Sequence, residues 1–148
     1  MSEWTQGDYT ISTDRSRLKV ETVHRYLAEE SYWAKGRPLA VTQKVIERSL
    51  CFGVYQGGEQ VGFARVITDY ATHAYVADVF ILPAHQGRGL GKWLMQCILD
   101  CPETSGVYKW ALHTRDAHEL YTQSGFTTVR EPGAYMEIRR RPPWAPQV

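Results

Sequence analysis

The stretch from Tyr75 to Cys101 leaves the chain few folds to choose from. An apolar run, Val76-Ala77-Asp78-Val79-Phe80-Ile81-Leu82, meets Gln86-Gly87-Arg88-Gly89-Leu90-Gly91. Beyond it the apolar residues Leu90, Trp93, Leu94, Cys97, Ile98 and Cys101 recur at i, i+3, i+4, i+7, i+8 and i+11. The run suits a buried strand, and the recurrence marks one face of a helix that Pro102 stops. The glycines between them let the backbone approach a ligand closely and leave amide N–H groups without intrahelical partners. Together with the positive end of the helix dipole, those amides suit a phosphate or diphosphate.

Spacing separates the loops that bind such groups. A P-loop needs glycine at position 86 and Ser or Thr at position 93, where this chain has Gln86 and Trp93. A dinucleotide fingerprint starting at Gly87 and Gly89 needs a small third residue where Lys92 stands, and it follows the first strand of its unit. Neither pattern fits.

The flanking sequence predicts a mixed α/β (α+β) fold. Tyr9 to Ser12 is expected to form a first, edge strand, and Asp14 to cap a helix running to about Glu30 with Val20, Val23 and Leu27 inward. Pro38 is placed to start a second helix with Val41, Val45 and Ile46 buried. Leu50 to Tyr55 and Gln60 to Thr68 flank Gly57-Gly58 as a hairpin, and Ala74 to Leu82 follows as the next strand. Val107 to Thr114 is expected to be a strand, and Thr114 or Asp116 to cap a short helix ending at Gly125. Phe126 to Val129 and Tyr135 to Arg139 are expected to finish the sheet, and residues from about 140 to 148 to be a loosely held proline-rich tail. The order gives a mostly antiparallel sheet covered on both faces.

At 148 residues the chain is expected to be one domain. A formal net charge of +1 argues against a nucleic-acid stripe or an acidic-membrane binder. With no apolar run of about 18 residues and no signal pattern at the N-terminus, a soluble cytoplasmic protein is expected. The odd number of cysteines, Cys51, Cys97 and Cys101, predicts buried reduced thiols, and the scattered histidines make no metal site.

Gln86, Gly89 and Gly91 match Gln/Arg-x-x-Gly-x-Gly/Ala, with Arg88 as a further donor. This resembles the acyl-CoA loop of the GNAT superfamily of N-acetyltransferases, and the element order from Tyr9 to Arg139 resembles that superfamily too. A second motif strengthens the likeness. Ala117, Leu120, Tyr121, Gly125 and Phe126 match the Ala-x-x-Leu-Tyr-x-x-x-Gly-Phe segment that closes the cofactor cleft in such enzymes.

The resemblance implies acetyl-CoA as donor, its diphosphate on the amides of Gln86, Gly87, Arg88, Gly89, Leu90 and Gly91, with Lys92 beside them. It implies that the pantetheine arm pairs with the backbone at Phe80, Ile81 and Leu82, where an N–H would also polarise the thioester oxygen. Tyr121 is the implied proton donor to the departing sulfur, a role a phenol of pKa about 10 suits; the bland alternative is a packed tyrosine. Where relatives often carry an Asn that contacts the cofactor this chain has Thr114, and where many carry a glutamate it has Tyr75. Asp78 is the only carboxylate in the strand and so a candidate base. Strict alternation points it away from Tyr75 unless a bulge intervenes, and a purely structural Asp78 is as well supported. His113, Glu29, Glu30 or a water chain are further choices. Tyr32 and Trp33, with Tyr75, are candidate walls for the acceptor, a small-molecule or peptide amine, unless Tyr32 and Trp33 only pack the helices. His73, Tyr70 and Arg115 are further candidates to line that cleft. A homodimer is left open by the resemblance. A non-catalytic acyl-CoA-binding module is the competing expectation.

Overall fold

Hairpins build most of the sheet, and two of them reverse at a glycine. The computed structural model describes residues 1–145. Strand β1 (Glu3–Gln6) turns at Gly7, whose φ of 57° is a left-handed value, into β2 (Tyr9–Ser12). Strand β3 (Leu50–Gln56) turns at Gly57, φ 61°, into β4 (Glu59–Thr68), and β5 (His73–Ile81) follows. The six strands lie in the order β1-β2-β3-β4-β5-β6, antiparallel except for the parallel pair of β5 with β6 (Lys109–Leu112).

Period-two alternation divides the core between two helical layers. Phe52, Val54, Ala64, Val66, Ala74 and Val76 face helix α3 (Leu90–Leu99), which returns Leu94, Met95, Cys97 and Ile98. Cys51, Phe63 and Phe80 face the other way, onto Val23 of α1 (Val20–Arg25), Leu27 just beyond it, and Ile46 of α2 (Leu39–Glu47). Cys51, Cys97 and Cys101 are buried and unbridged, as expected, and burial pushes the thiols of Cys51 and Cys97 up to about 12 and raises that of Cys101. None of the described helices is long and apolar enough to cross a membrane.

Four expectations are corrected. Tyr9–Ser12 is an interior strand, because the polar segment Glu3–Gln6 pairs outside it. The long first helix is three pieces: a 3₁₀ turn at Arg15–Arg17 capped by Asp14, an extended Leu18, then α1 and a π-turn at Tyr26–Glu30. Thr42, not Val41 or Val45, joins Ile46 as a fully buried residue of α2. Phe126–Val129 and Tyr135–Arg139 lie outside the sheet, with Met136 and Ile138 exposed. Alternation says which residues would share a face; it does not provide the partner edge a strand needs. Of the tail, Trp144 lies against Gly36, and residues 146–148 lie outside the described part.

Gly62 shows how closely β3, β4 and β5 are packed. A Cβ there would lie 2.8 Å from Ile81 Cδ1, 3.0 Å from the Phe80 carbonyl oxygen and 3.1 Å from Val54 Cβ. The carbonyl cannot retreat without moving β5. Gly62→Ala is therefore expected to destabilise the fold by about 1–3 kcal/mol, read as a lower midpoint of thermal unfolding. An unchanged midpoint would show that β5 gives way freely.

Candidate active site

The site begins where β5 loses one neighbour. On one side β5 stays paired with β4 as far as Gly62 and Ile81, whereas on the other its register with β6 stops at Val76 and Leu112. Among the described residues, no strand pairs with the β6-facing edge of Ala77–Ile81. The split coincides with a bulge. Phe63 pairs with Phe80 and Arg65 with Ala77, so two steps along β4 span three along β5. Asp78 absorbs the extra residue at φ 52°.

The bulge turns Asp78 to the face that carries Arg65 and Tyr75, and there it is saturated with donors. Trp33 Nε1–H donates to Oδ1 (2.7 Å), while Arg37 Nη1 (2.8 Å) and Arg65 Nε (2.6 Å) donate to Oδ2. The carboxylate side chain is 2% exposed and those of the two arginines 11% and 12%. Burial pushes its pKa up, but the charges and hydrogen bonds of Arg65 and Arg37 outweigh burial and hold it below the ordinary carboxylate value. A carboxylate so held is a weak base. Its evident work is to tie the segment after α1, with Trp33 and Arg37, to the sheet.

At the end of β5 the glycine loop presents its amides. Gly87 and Gly89 take φ values of 79° and 78°, open to glycine at little cost. The first bond of α3 runs from the Trp93 N–H to the Gly89 carbonyl at 3.1 Å. Leu90, Gly91 and Lys92 therefore begin the helix with N–H groups that no earlier turn satisfies. The amides of Gly87, Arg88 and Gly89 likewise make no hydrogen bond among the described residues. Gln86 closes the strand end by donating from Nε2 to the Ile81 carbonyl (2.9 Å). Arg88 Nη1 donates to the Tyr9 hydroxyl (2.9 Å), which pairs with His85 Nδ1 (2.9 Å).

Strand edge and loop open into one cleft of about 600 Å³. Tyr121 of α4 (His118–Gln123) forms its far wall. Burial, and then the nearby Tyr32 and Asp116, raise the Tyr121 phenol above its usual value, so it carries its proton at neutral pH. Gly125, φ 101°, ends this region, and the Phe126 ring stands edge-on to Tyr121. The near wall is aromatic. Tyr26 stacks on Phe80 with centroids 4.1 Å apart and planes 11° from parallel, and Tyr32 meets Trp33 edge-on at 5.1 Å. Arg115 packs on Tyr32, its guanidinium 3.8 Å from the ring centre and its backbone N–H donating to the Tyr32 hydroxyl.

The fold thus gathers Tyr121, Phe80, Ile81, Gln86, Gly87, Gly89, Leu90, Gly91, Lys92, Tyr32 and Trp33 around one cleft. Tyr75, Leu82, Arg88, Thr114, His73 and Tyr70 do not line it. Thr114 instead accepts the Ala117 N–H, a turn before α4. Sequence reasoning missed Tyr26, which had no signal beyond its place in an amphipathic helix, and treated Asp116 only as a cap. It also missed Arg37 and Arg65 as partners of Asp78, since contacts across strands and loops leave no local trace.

Residues 15–126 match the model of the family described as Acetyltransferase (GNAT) family. The chain is 36% identical over 114 residues to a protein of Gibberella zeae named as a candidate acetyltransferase; the match covers 64% of this chain and 64% of that protein, less than two thirds of its length. A solved structure from Xanthomonas campestris pv. campestris, named as a candidate acetyltransferase of the GNAT family, is 46% identical with a TM-score of 0.88, covering 92% of this chain and 96% of that one. A solved structure from Clostridium acetobutylicum, named as a candidate acetyltransferase with acetyl-CoA, has a TM-score of 0.67 over 88% and 94% of the two chains, and at 13% identity shows a shared fold.

Proposed function

This chain belongs to the GNAT family of acetyltransferases, and from that premise we propose that it is an acetyl-CoA-dependent N-acetyltransferase moving an acetyl group to a primary amine of a small molecule or peptide by direct attack in a ternary complex. The observation that carries the reading is the open edge of Ala77–Ile81 running into the unbonded amides of residues 87–92. An extended, amide-bearing chain that ends in a diphosphate matches both halves, and the pantetheine arm of coenzyme A is such a chain. Acetyl-CoA supplies the activated acyl carbon.

The protein's part is to hold and to manage protons. Leu82 donates its N–H to the Val61 carbonyl of β4, so by alternation the Ile81 N–H points to the open edge, a donor for the pantetheine or the thioester oxygen, and the loop amides and Lys92 offer positive potential for the diphosphate. Tyr121, protonated at neutral pH, is suited to protonate the sulfur as the C–S bond breaks.

Calorimetry followed by thiol release across an amine panel tests the reading. Saturable binding of acetyl-CoA with amine-dependent release is expected. Binding without release from any amine would leave an acyl-CoA-binding module instead, and no binding would remove the reading altogether. Gly89→Ala supplies a local check. A Cβ there meets nothing within 4 Å, so the substitution acts through the left-handed φ alone, at a cost of about 1–2 kcal/mol. The loop is expected to relax and re-aim its amides, weakening coenzyme A binding about tenfold or more, ~1.4 kcal/mol. Unchanged affinity would move the diphosphate off this loop.

A further inference from the structure

An ammonium acceptor must lose a proton before it can attack, and the carboxylate that looked suited to take it, Asp78, is neutralised by two arginines. Asp78 does not line the cleft, whereas two carboxylates, Glu30 and Asp116, do. They belong to different segments. Asp116 precedes α4 beside Tyr121, where the leaving sulfur would lie, whereas Glu30 belongs to the aromatic wall beside Tyr26 and Phe80.

The backbone holds Glu30 in that wall. It ends the π-turn Tyr26–Glu30, in which the Ser31 N–H reaches back to the Tyr26 carbonyl (3.0 Å), and wide turns of this kind recur at functional sites. The turn is locked on both sides: Ser31 Oγ donates to the Leu27 carbonyl (2.7 Å), the Ala34 N–H to Ser31 Oγ (3.1 Å), and the Gly36 N–H to the Ala28 carbonyl (2.9 Å). Leu27 is buried in the core while Tyr26 and Glu30, one turn apart, both line the cleft. Among the described residues Glu30 has no salt-bridge partner, and its charge is felt by the Tyr26 phenol, which burial first and Glu30 second push up.

We propose that Glu30 holds the ammonium of the acceptor and accepts its proton, and that the acceptor is a cationic amine whose carbon skeleton lies against Tyr26, Tyr32 and Trp33. This rests on the transferase reading above. One proton passes from nitrogen to the Glu30 carboxylate, freeing the lone pair. The N–C bond forms, the C–S bond breaks and Tyr121 gives its hydroxyl proton to sulfur. The second nitrogen proton restores the Tyr121 phenol, and Glu30 releases its proton to solvent. Aromatic faces stabilise a cation, and a free carboxylate supplies the counter-charge.

The test compares wild type with Glu30→Gln and Glu30→Asp on diamines, arylalkylamines and amino acids of matched length. The ionisable groups sharing the cleft with Glu30 are Tyr26 on its own turn, Tyr32, His85, Lys92, Asp116 and Tyr121. The pH profile is therefore read as a difference between variants. Glu30→Gln is expected to keep acetyl-CoA affinity and thermal midpoint, lose about 10²-fold or more in kcat/KM for the best cationic amine, and lose the acidic limb of the profile. Glu30→Asp is expected to recover part of both. An active wild type whose Glu30→Gln variant keeps its rate and pH profile overturns the role of Glu30 alone, as does a preference for anionic acceptors. A wild type that binds acetyl-CoA but acetylates nothing overturns the transferase reading and this role together.

Discussion

Asp78→Asn is expected to lower the midpoint of thermal unfolding by about 6–20 °C, the largest stability effect of any single substitution considered. Asparagine keeps the size of aspartate and tolerates the left-handed backbone of residue 78, so shape and strain are nearly unchanged. Only the charge goes. Arg37 and Arg65, about nine-tenths buried, then share a site without a counter-ion. Breaking a buried pair from one side costs about 3–5 kcal/mol, and each kcal/mol shifts the midpoint of a domain of this size by roughly 2–4 °C.

The same pair sets an acid limit. The folded pKa of Asp78 lies below its ordinary value of 3.8, so the folded state binds this proton less readily than the unfolded chain. Its contribution is complete above the unfolded value and fades as pH falls from there through the folded value. The gap between the thermal melts of wild type and Asp78→Asn should therefore be full at neutral pH and shrink steadily as the pH is taken down below the unfolded value. A variant that melts with the wild type at neutral pH would mean that the arginines find other partners. Because Trp33 and Arg37 are tethered through Asp78, the variant should also raise KM for the acceptor.

Tyr121→Phe is expected to reduce kcat by about 10²–10⁴-fold, the usual worth of a positioned general acid. The ring packing with Phe126 survives the loss of one hydroxyl, so the fold and acetyl-CoA affinity should hold. The pH profile gives a second readout. An acid works only while protonated, and burial raises this phenol, so wild-type activity should persist past the ordinary tyrosine value and fall only beyond it. The phenylalanine variant should lack that alkaline fall. Full turnover by Tyr121→Phe on a genuine acceptor would assign the proton to another group.

The site was only partly legible along the chain. The loop from Gln86 to Gly91 announced itself because its chemistry is local: glycines, a helix start and an apolar strand are neighbours in sequence. Tyr121 was reached through its motif, since the distance from Ile81 across the cleft is tertiary. For Asp78 the sequence left the face open between strict alternation and a bulge, because one inserted residue reverses the face of a side chain and a bulge has no reliable sequence mark. The segment Tyr135–Arg139 misled, having the alternation of a strand without an edge to join.

Periodicity, turn glycines and helix starts follow from bonds and sterics within a few residues, so the amino-acid order alone determined the layers, the hairpin at Gly57 and the amide-rich loop. Where two strands part, which carboxylate is neutralised and which faces the cleft free depend on side chains far apart in sequence. Asp78 with Arg37 and Arg65, and Tyr26 upon Phe80, meet only once the sheet has formed. Charge and burial act through space, and so the tertiary structure decided the chemistry of the site.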